Sequence, residues 1–228
     1  GKIDTADRFS PFRRFCRGPQ EAIRLLGVIN LILEMTCLKM KQLIDFHTHI
    51  FPDDIANRAA QNVGSYYGLD MEGDGTAAML KARVPDGVKC RFVISSAAMK
   101  AKNVIHGNDF LIAAAKADAD FIPFGSFHPD MGEKETLSEL ERIAEAGVYG
   151  IKLHPDFQRI YIDEPRLMSA YRKCAELGLP ILFHVGDKNT EFSTPVRLRR
   201  VCDAVPNLTA IAAHLGGYSV WDEAMDYL

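Results

Sequence analysis

The stretch QLIDFHTHIFPD, Gln42 to Asp53, decides how this chain is read. Its first eight residues form a short apolar-rich run of the kind that builds a β-strand. The run closes on two histidines two residues apart, and a proline-containing loop follows. Alternate residues of a strand share a face, so His47 and His49 project to the same side and can bind one ion between them. Asp45 stands on that face one layer deeper. A carboxylate there either bonds the second ring nitrogen of a ligating histidine and fixes its tautomer, or is taken up by backbone amides.

Further along, similar runs recur: RFVISSAA, FIPFGSFHP, YGIKLHP, PILFHVG and TAIAAHLGG. Helical patterns over residues 104–118, 133–147, 163–178 and 194–204 separate them, with a longer and less regular connection over 53–89. The helix at 163–178 is expected to take Asp163 as N-cap, Pro165 in its first turn and Gly178 just past its end. Strands alternating with helices imply a parallel sheet with right-handed crossovers. An open doubly wound sheet and a (β/α)8 TIM barrel both fit that alternation. The histidines choose the barrel, whose working groups come from the C-terminal ends of several strands. His47 and His49 end the first strand, His128 the third, His154 the fourth, His184 the fifth and His214 the sixth, so only His106 of the seven lies elsewhere. Packing alone gives a histidine no preference for that end.

Neutral imidazole suits zinc and similar divalent ions, and a catalytic site takes about three protein ligands while leaving a position for water. His184 is the choice for the third ligand beside His47 and His49. With DFHTHIFPD, GIKLHP, FHVG and AHLGG in this order and spacing, the sequence resembles the amidohydrolase superfamily over about residues 40–220, in particular its branch of metal-dependent hydrolases and decarboxylases. The resemblance implies a TIM barrel with one divalent metal, zinc by expectation, at its C-terminal mouth. It places His47, His49 and His184 as ligands and His214 as a catalytic base or orienter. The family closes its site with an aspartate at the end of the eighth strand, whereas this sequence stops at Leu228, soon after the sixth. The expectation is therefore a barrel domain over 41–228 lacking its last two strands, with about six of eight present. Asp222 and Asp226 fall in a helical pattern and are not assigned the closing role.

Lys152 and His154 alternate on the fourth strand. In binuclear relatives a lysine there is carbamylated, but the GIKLHP context resembles mononuclear members. Lys152 is expected to hold a substrate carboxylate or stabilise an oxyanion, with a buried ion pair as the competing structural role. His154, His128 and Arg159 are candidate substrate contacts; His128 serves equally well as a satisfied histidine under its loop, and Arg159 as an exposed loop residue. His106 reads as a surface residue. Gly186, Gly216 and Gly217 are expected in sharp turns that use positive φ.

Composition narrows the function classes. A net charge of −3 gives no general attraction to nucleic acid or to an anionic membrane. The partner expected is a small molecule, with a homodimer compatible as the assembly. Five cysteines, odd in number and without a CxxC pair, suggest neither a disulfide framework nor a thiolate metal site, so the expected setting is the cytoplasm. Residues 1–40 carry seven Lys/Arg against four Asp/Glu, or +3, leaving −6 for the remainder. Their apolar segment is interrupted by Arg24 and Glu34, too charged for a signal peptide or a membrane span, and they read as a partly helical or loosely ordered extension. The chemistry expected first is hydrolysis of a small amide, lactone or ester by metal-activated water. Two alternatives are non-oxidative decarboxylation of a small carboxylated substrate, and a non-catalytic fragment.

Overall fold

The computed structural model of the protein describes residues 42–228. The expected extension at 1–40 lies outside the described residues. Ile44–Asp86 together with Cys90–Leu228 form one compact unit; Gly1–Leu43 and Gly87–Lys89 form another, most of which lies outside the described residues.

The described sheet contains six strands: β1 (Gln42–His49), β2 (Lys89–Ser95), β3 (Phe121–Gly125), β4 (Gly150–Leu153), β5 (Ile181–Phe183) and β6 (Ala210–Ala212). They pair in chain order as parallel neighbours. A doubly wound sheet reverses its strand order at a switch point. This sheet does not, so it follows the TIM-barrel arrangement, with six strands of an incomplete α/β barrel.

The helices between the strands are α1 (Ala56–Tyr67), α2 (Ala77–Ala82), α3 (Val104–Ala117), α4 (Glu133–Glu145), α5 (Pro155–Gln158), α6 (Met168–Leu177) and α7 (Pro195–Ala204), with α8 (Trp221–Tyr227) after β6. The connection expected to be irregular therefore contains two helices. α1 buries Ala56, Ala60 and Gly64, four residues apart on one face. Small residues make that face, so its period is carried by alanine and glycine and not by large apolar side chains. A Cβ on Gly64 would meet the carbonyl oxygen of Leu69 at 2.6 Å, so the close packing requires glycine. Asp163 does not cap a helix. Its carboxylate pairs instead with Arg197 and Arg200, and α6 starts after a 3-10 turn at Pro165–Leu167. Gly178 does end α6, at φ 69°.

Register decides which side chains meet. Ile151 pairs with Ile181 and Leu153 with Phe183, and these four are buried beneath α4, α6 and α7 with Leu140, Ile143, Tyr171 and Val201. Each such apolar side chain contributes about 1.5–3 kcal/mol by leaving water. On the opposite face Lys152 pairs with Leu182. There Val93, Phe124, Leu182 and Ala213 form a second apolar layer with Ile122 and Ile211. The site is built from groups on this inner face and just beyond the strand ends.

Candidate active site

β1 delivers His47 and His49 to the inner face with their Nε2 atoms 3.2 Å apart. β5 ends at Phe183, and His184 follows with its Nδ1 3.0 Å from Nε2 of His214, which lies beyond β6. The two pairs adjoin, since the rings of His47 and His214 are 4.9 Å apart at their centroids. His214 and Leu215 take left-handed backbone, φ 58° and 55°, a conformation non-glycine residues seldom adopt. Strain of this kind persists where the surrounding structure over-determines it.

Hydrogen bonds assign the tautomers. Ser95 Oγ donates its proton to the carbonyl of Thr48 at 3.0 Å, so the 3.2 Å contact with Nδ1 of His49 is a donation from the ring. Nε2 of His49 is thereby bare. Nε2 of His184 faces the carbonyl of Gly186 at 3.1 Å, an acceptor only, so that nitrogen carries the proton and Nδ1 is bare. Metal-binding histidines commonly donate their other N–H to such partners. Burial, reinforced by the Lys152 ammonium, pushes His47 and His184 down to about 2 and His49 to about 3. At neutral pH these rings are uncharged and keep their lone pairs. Uncharged imidazoles with bare nitrogens fit a divalent metal ion of the zinc or manganese type.

A second grouping shares His184. His154, Asp156 and His184 offer ligand atoms all within 4.8 Å of one another, the only such trio among the described residues. Asp156 Oδ2 lies 3.8 Å from His184 Nε2 and accepts from Ser193 Oγ at 2.8 Å, and Thr190 bonds its other oxygen. Burial raises the Asp156 carboxyl above its ordinary range, against the pull of these hydroxyls. Nε2 of His184 gives its proton to the carbonyl of Gly186, and the Asp156 carboxylate lies on the same side of the ring without bonding it.

Lys152 is fully buried, and its Nζ has no hydrogen-bond partner among the described residues. Desolvation pushes its amine down to about 7. His154 is also buried, its Nε2 3.0 Å from the hydroxyl of Tyr67 and its Nδ1 without a partner among the described residues. Its ring lies between Phe157, stacked at 3.8 Å, and His184, stacked at 4.0 Å. Gly186 sits at φ 82°, where a Cβ would lie 2.8 Å from the backbone nitrogen of Tyr218.

Other expected residues lie apart. Asp45 is exposed, and its carboxylate accepts from the backbone N–H of His47 at 3.3 Å, so it takes the backbone role and does not fix an imidazole. His128 is buried, and its Nδ1 accepts from the N–H of Asp130 at 3.2 Å, capping a 3-10 turn. Arg159 is exposed, has φ 55°, and forms no ion pair among the described residues. His106 is exposed on α3. Gly216 has φ 84° as expected of its turn, but Gly217 is extended at φ −173°; its lack of a side chain serves instead a close approach to the carbonyl of Val220. Sequence reasoning missed Ser95, Asp156 and Tyr67. Asp156 was within reach, two residues after His154 in HPD. Among the described residues no helix is long and apolar enough to cross a membrane.

Several solved structures share the fold. The 5-carboxyvanillate decarboxylase of Sphingomonas paucimobilis is 16% identical at TM-score 0.54, covering 75% of this chain and 66% of its own. The 2,6-dihydroxybenzoate decarboxylase of Rhizobium is 19% identical at TM-score 0.52, covering 77% and 66%. The 5-carboxyvanillate decarboxylase of Novosphingobium aromaticivorans, with bound manganese and 3-methoxy-4-hydroxy-5-nitrobenzoic acid, is 18% identical at TM-score 0.55, covering 82% and 68%. The chain thus spans about two thirds of the length of these proteins, just under it for the first two. No curated protein matches the sequence. The family model described as amidohydrolase matches residues 44–228, most of the chain. With the parallel barrel strands and the histidines at their ends, that match shows that the chain belongs to the amidohydrolase family.

Proposed function

We propose that this chain carries the metal- and acid-binding part of a metal-dependent, non-oxidative decarboxylase acting on a small carboxylated substrate. The observation that carries the reading is a pair of buried nitrogens without a partner among the described residues, Lys152 Nζ and His154 Nδ1, two residues apart in the chain. A buried donor left unpaired costs about 1–3 kcal/mol. Two of them beside neutral imidazoles make a site short of negative charge, and a substrate carboxylate supplies it. Hydrolysis, the chemistry expected first, calls for a base to take a proton from water, a role that His214 or a carboxylate can fill. Among the described residues Asp156 is the carboxylate that joins the histidine cluster, and its oxygens are occupied by Thr190 and Ser193. The fold relatives named above, decarboxylases of aromatic acids, favour the same choice.

In this reading His47, His49 and His184 hold the metal, zinc or manganese. When bound, such an ion supplies positive charge that fixes substrate oxygens and draws electron density from the reacting centre. Lys152 and His154 Nδ1 orient the acid through their buried nitrogens. When the bond to the carboxyl carbon breaks and CO2 leaves, its electron pair stays on the substrate carbon and takes up a proton there, which His214 relays from solvent water by giving one ring proton and regaining another.

The test uses the full chain supplied with zinc or manganese, incubated with 2,6-dihydroxybenzoate and 5-carboxyvanillate while CO2 release is followed. Release that Lys152→Met abolishes is the expected result. Hydrolysis of small lactones or amides without any CO2 release would reject the decarboxylase reading. Metal content of the His47→Ala/His49→Ala double variant should drop to background, and content equal to the unmodified chain would sink the ligand assignment.

A further inference from the structure

We propose that Tyr67 is a positioning residue that makes His154 a hydrogen-bond donor toward the acid; the second half of this statement rests on the acid-binding reading above. The stacking of His154 between Phe157 and His184, nearly parallel to both at 2° and 13°, prevents its ring from turning. Which of its nitrogens bears the proton is therefore decided by what faces each one. Nδ1 has no partner among the described residues, so Nε2 decides.

Nε2 faces the Tyr67 hydroxyl at 3.0 Å, and the same oxygen lies 3.3 Å from Nε2 of His184. That His184 nitrogen carries a proton, because its other neighbour is the acceptor-only carbonyl of Gly186. The phenol oxygen accepts on the His184 side and has one proton of its own to give. It gives it to Nε2 of His154, which must then be bare, and the proton of His154 resides on Nδ1. A bare Nδ1 would repel a carboxylate, whereas a protonated one joins Lys152 as a second donor to it.

The hydroxyl is held in place by the end of α1. Tyr67 is its last residue, and Gly68 turns the chain away at φ 67°. Edge-on contacts with Tyr66 and Tyr218, at 4.8 and 5.1 Å, fix the ring, and Tyr66 is tied by its own hydroxyl to the buried Asp187 at 3.1 Å.

The experiment labels the histidines of the full chain with ¹⁵N and reads their tautomers by multiple-bond NMR, with benzoate titrated as the probe anion. In the unmodified chain His154 should appear as the Nδ1–H form. Tyr67→Phe keeps the ring and removes the hydroxyl, and should turn His154 into a mixture of both forms while weakening benzoate about tenfold, as loss of one hydrogen bond to a charged group does. Tyr149→Phe, at an exposed tyrosine outside the site, should leave both readings unchanged. An Nε2–H form in the unmodified chain, or an unaltered Nδ1–H form in Tyr67→Phe, overturns the proposal. If the unmodified chain ignores benzoate, the acid-binding reading fails while the spectra still decide the role of Tyr67.

Discussion

Between α3 and α4, Asn108 donates to the carbonyl of Ser126 at 3.0 Å and to Glu139 at 2.7 Å, and its oxygen accepts from the N–H of Ser126 at 2.8 Å. Glu139 is also bonded by Arg142, at 2.7 and 2.8 Å. On β4 and just past its end, Lys152 and His154 are buried as deeply, yet each keeps a nitrogen with no partner among the described residues. Both regions take polar groups out of water. In the first, the partners come from the fold itself, so the polar groups tie α3, α4 and the end of β3 together. In the second, the described residues supply no partner. Burial alone therefore does not separate the two regions; what does is that the second leaves two nitrogens unpartnered, two residues apart in the chain, whereas in the first the hydroxyl of Ser126 is the single such group among the residues named.

Replacement of each cluster should have opposite consequences for stability. Asn108→Ala strands the N–H and the carbonyl of Ser126 and leaves Glu139 to Arg142 alone, and should lower unfolding free energy by about 2–4 kcal/mol, read as a lower urea midpoint; an unchanged midpoint would erase the contrast. Lys152→Met removes a group that the folded state leaves unpaired, and should keep or raise stability by about 1 kcal/mol while benzoate binding is lost. A Lys152→Met chain as damaged as Asn108→Ala would show that the amine has a structural partner after all.

The pH dependence sharpens the same point on a smaller scale. The Lys152 amine sits at about 7 in the folded chain because burial disfavours its charge, against 10.5 when exposed. Between those values the unfolded chain holds a proton that the folded chain has released, so this residue makes stability rise with pH across the window. Below about 7 both states are protonated and its full cost remains. Urea midpoints measured from pH 7 to 10 should climb more in the unmodified chain than in Lys152→Met, and equal slopes would count against a buried, unpaired amine.

The outline of this arrangement is legible in sequence because it depends on period. Strand ends and alternation place His47, His49, Lys152, His154, His184 and His214 near one another without knowledge of any contact, since a period of two settles the face and the motif order settles the end. What could not be read depends on distance along the chain. Tyr67 reaches His154 and His184 from a helix whose packed face is alanine and glycine, and nothing local signals its target. Asp163 shows the reverse error: its position suits an N-cap, but arginines from α7 claim it. Asp45 fits the alternation, yet the N–H two residues on is its nearest donor.

The contact between the rings of His47 and His214 joins the first described strand to the turn after the sixth. Nearly the whole described chain is the loop that this contact closes, and closing a loop of that size costs conformational entropy that grows with its length. A metal held jointly by β1 and the later strand ends would fasten that loop, and since it binds the folded chain, it would shift the folding equilibrium by mass action. The site would then act as a late clasp on the assembly of the sheet, forming last in folding and opening first when the ion is withdrawn.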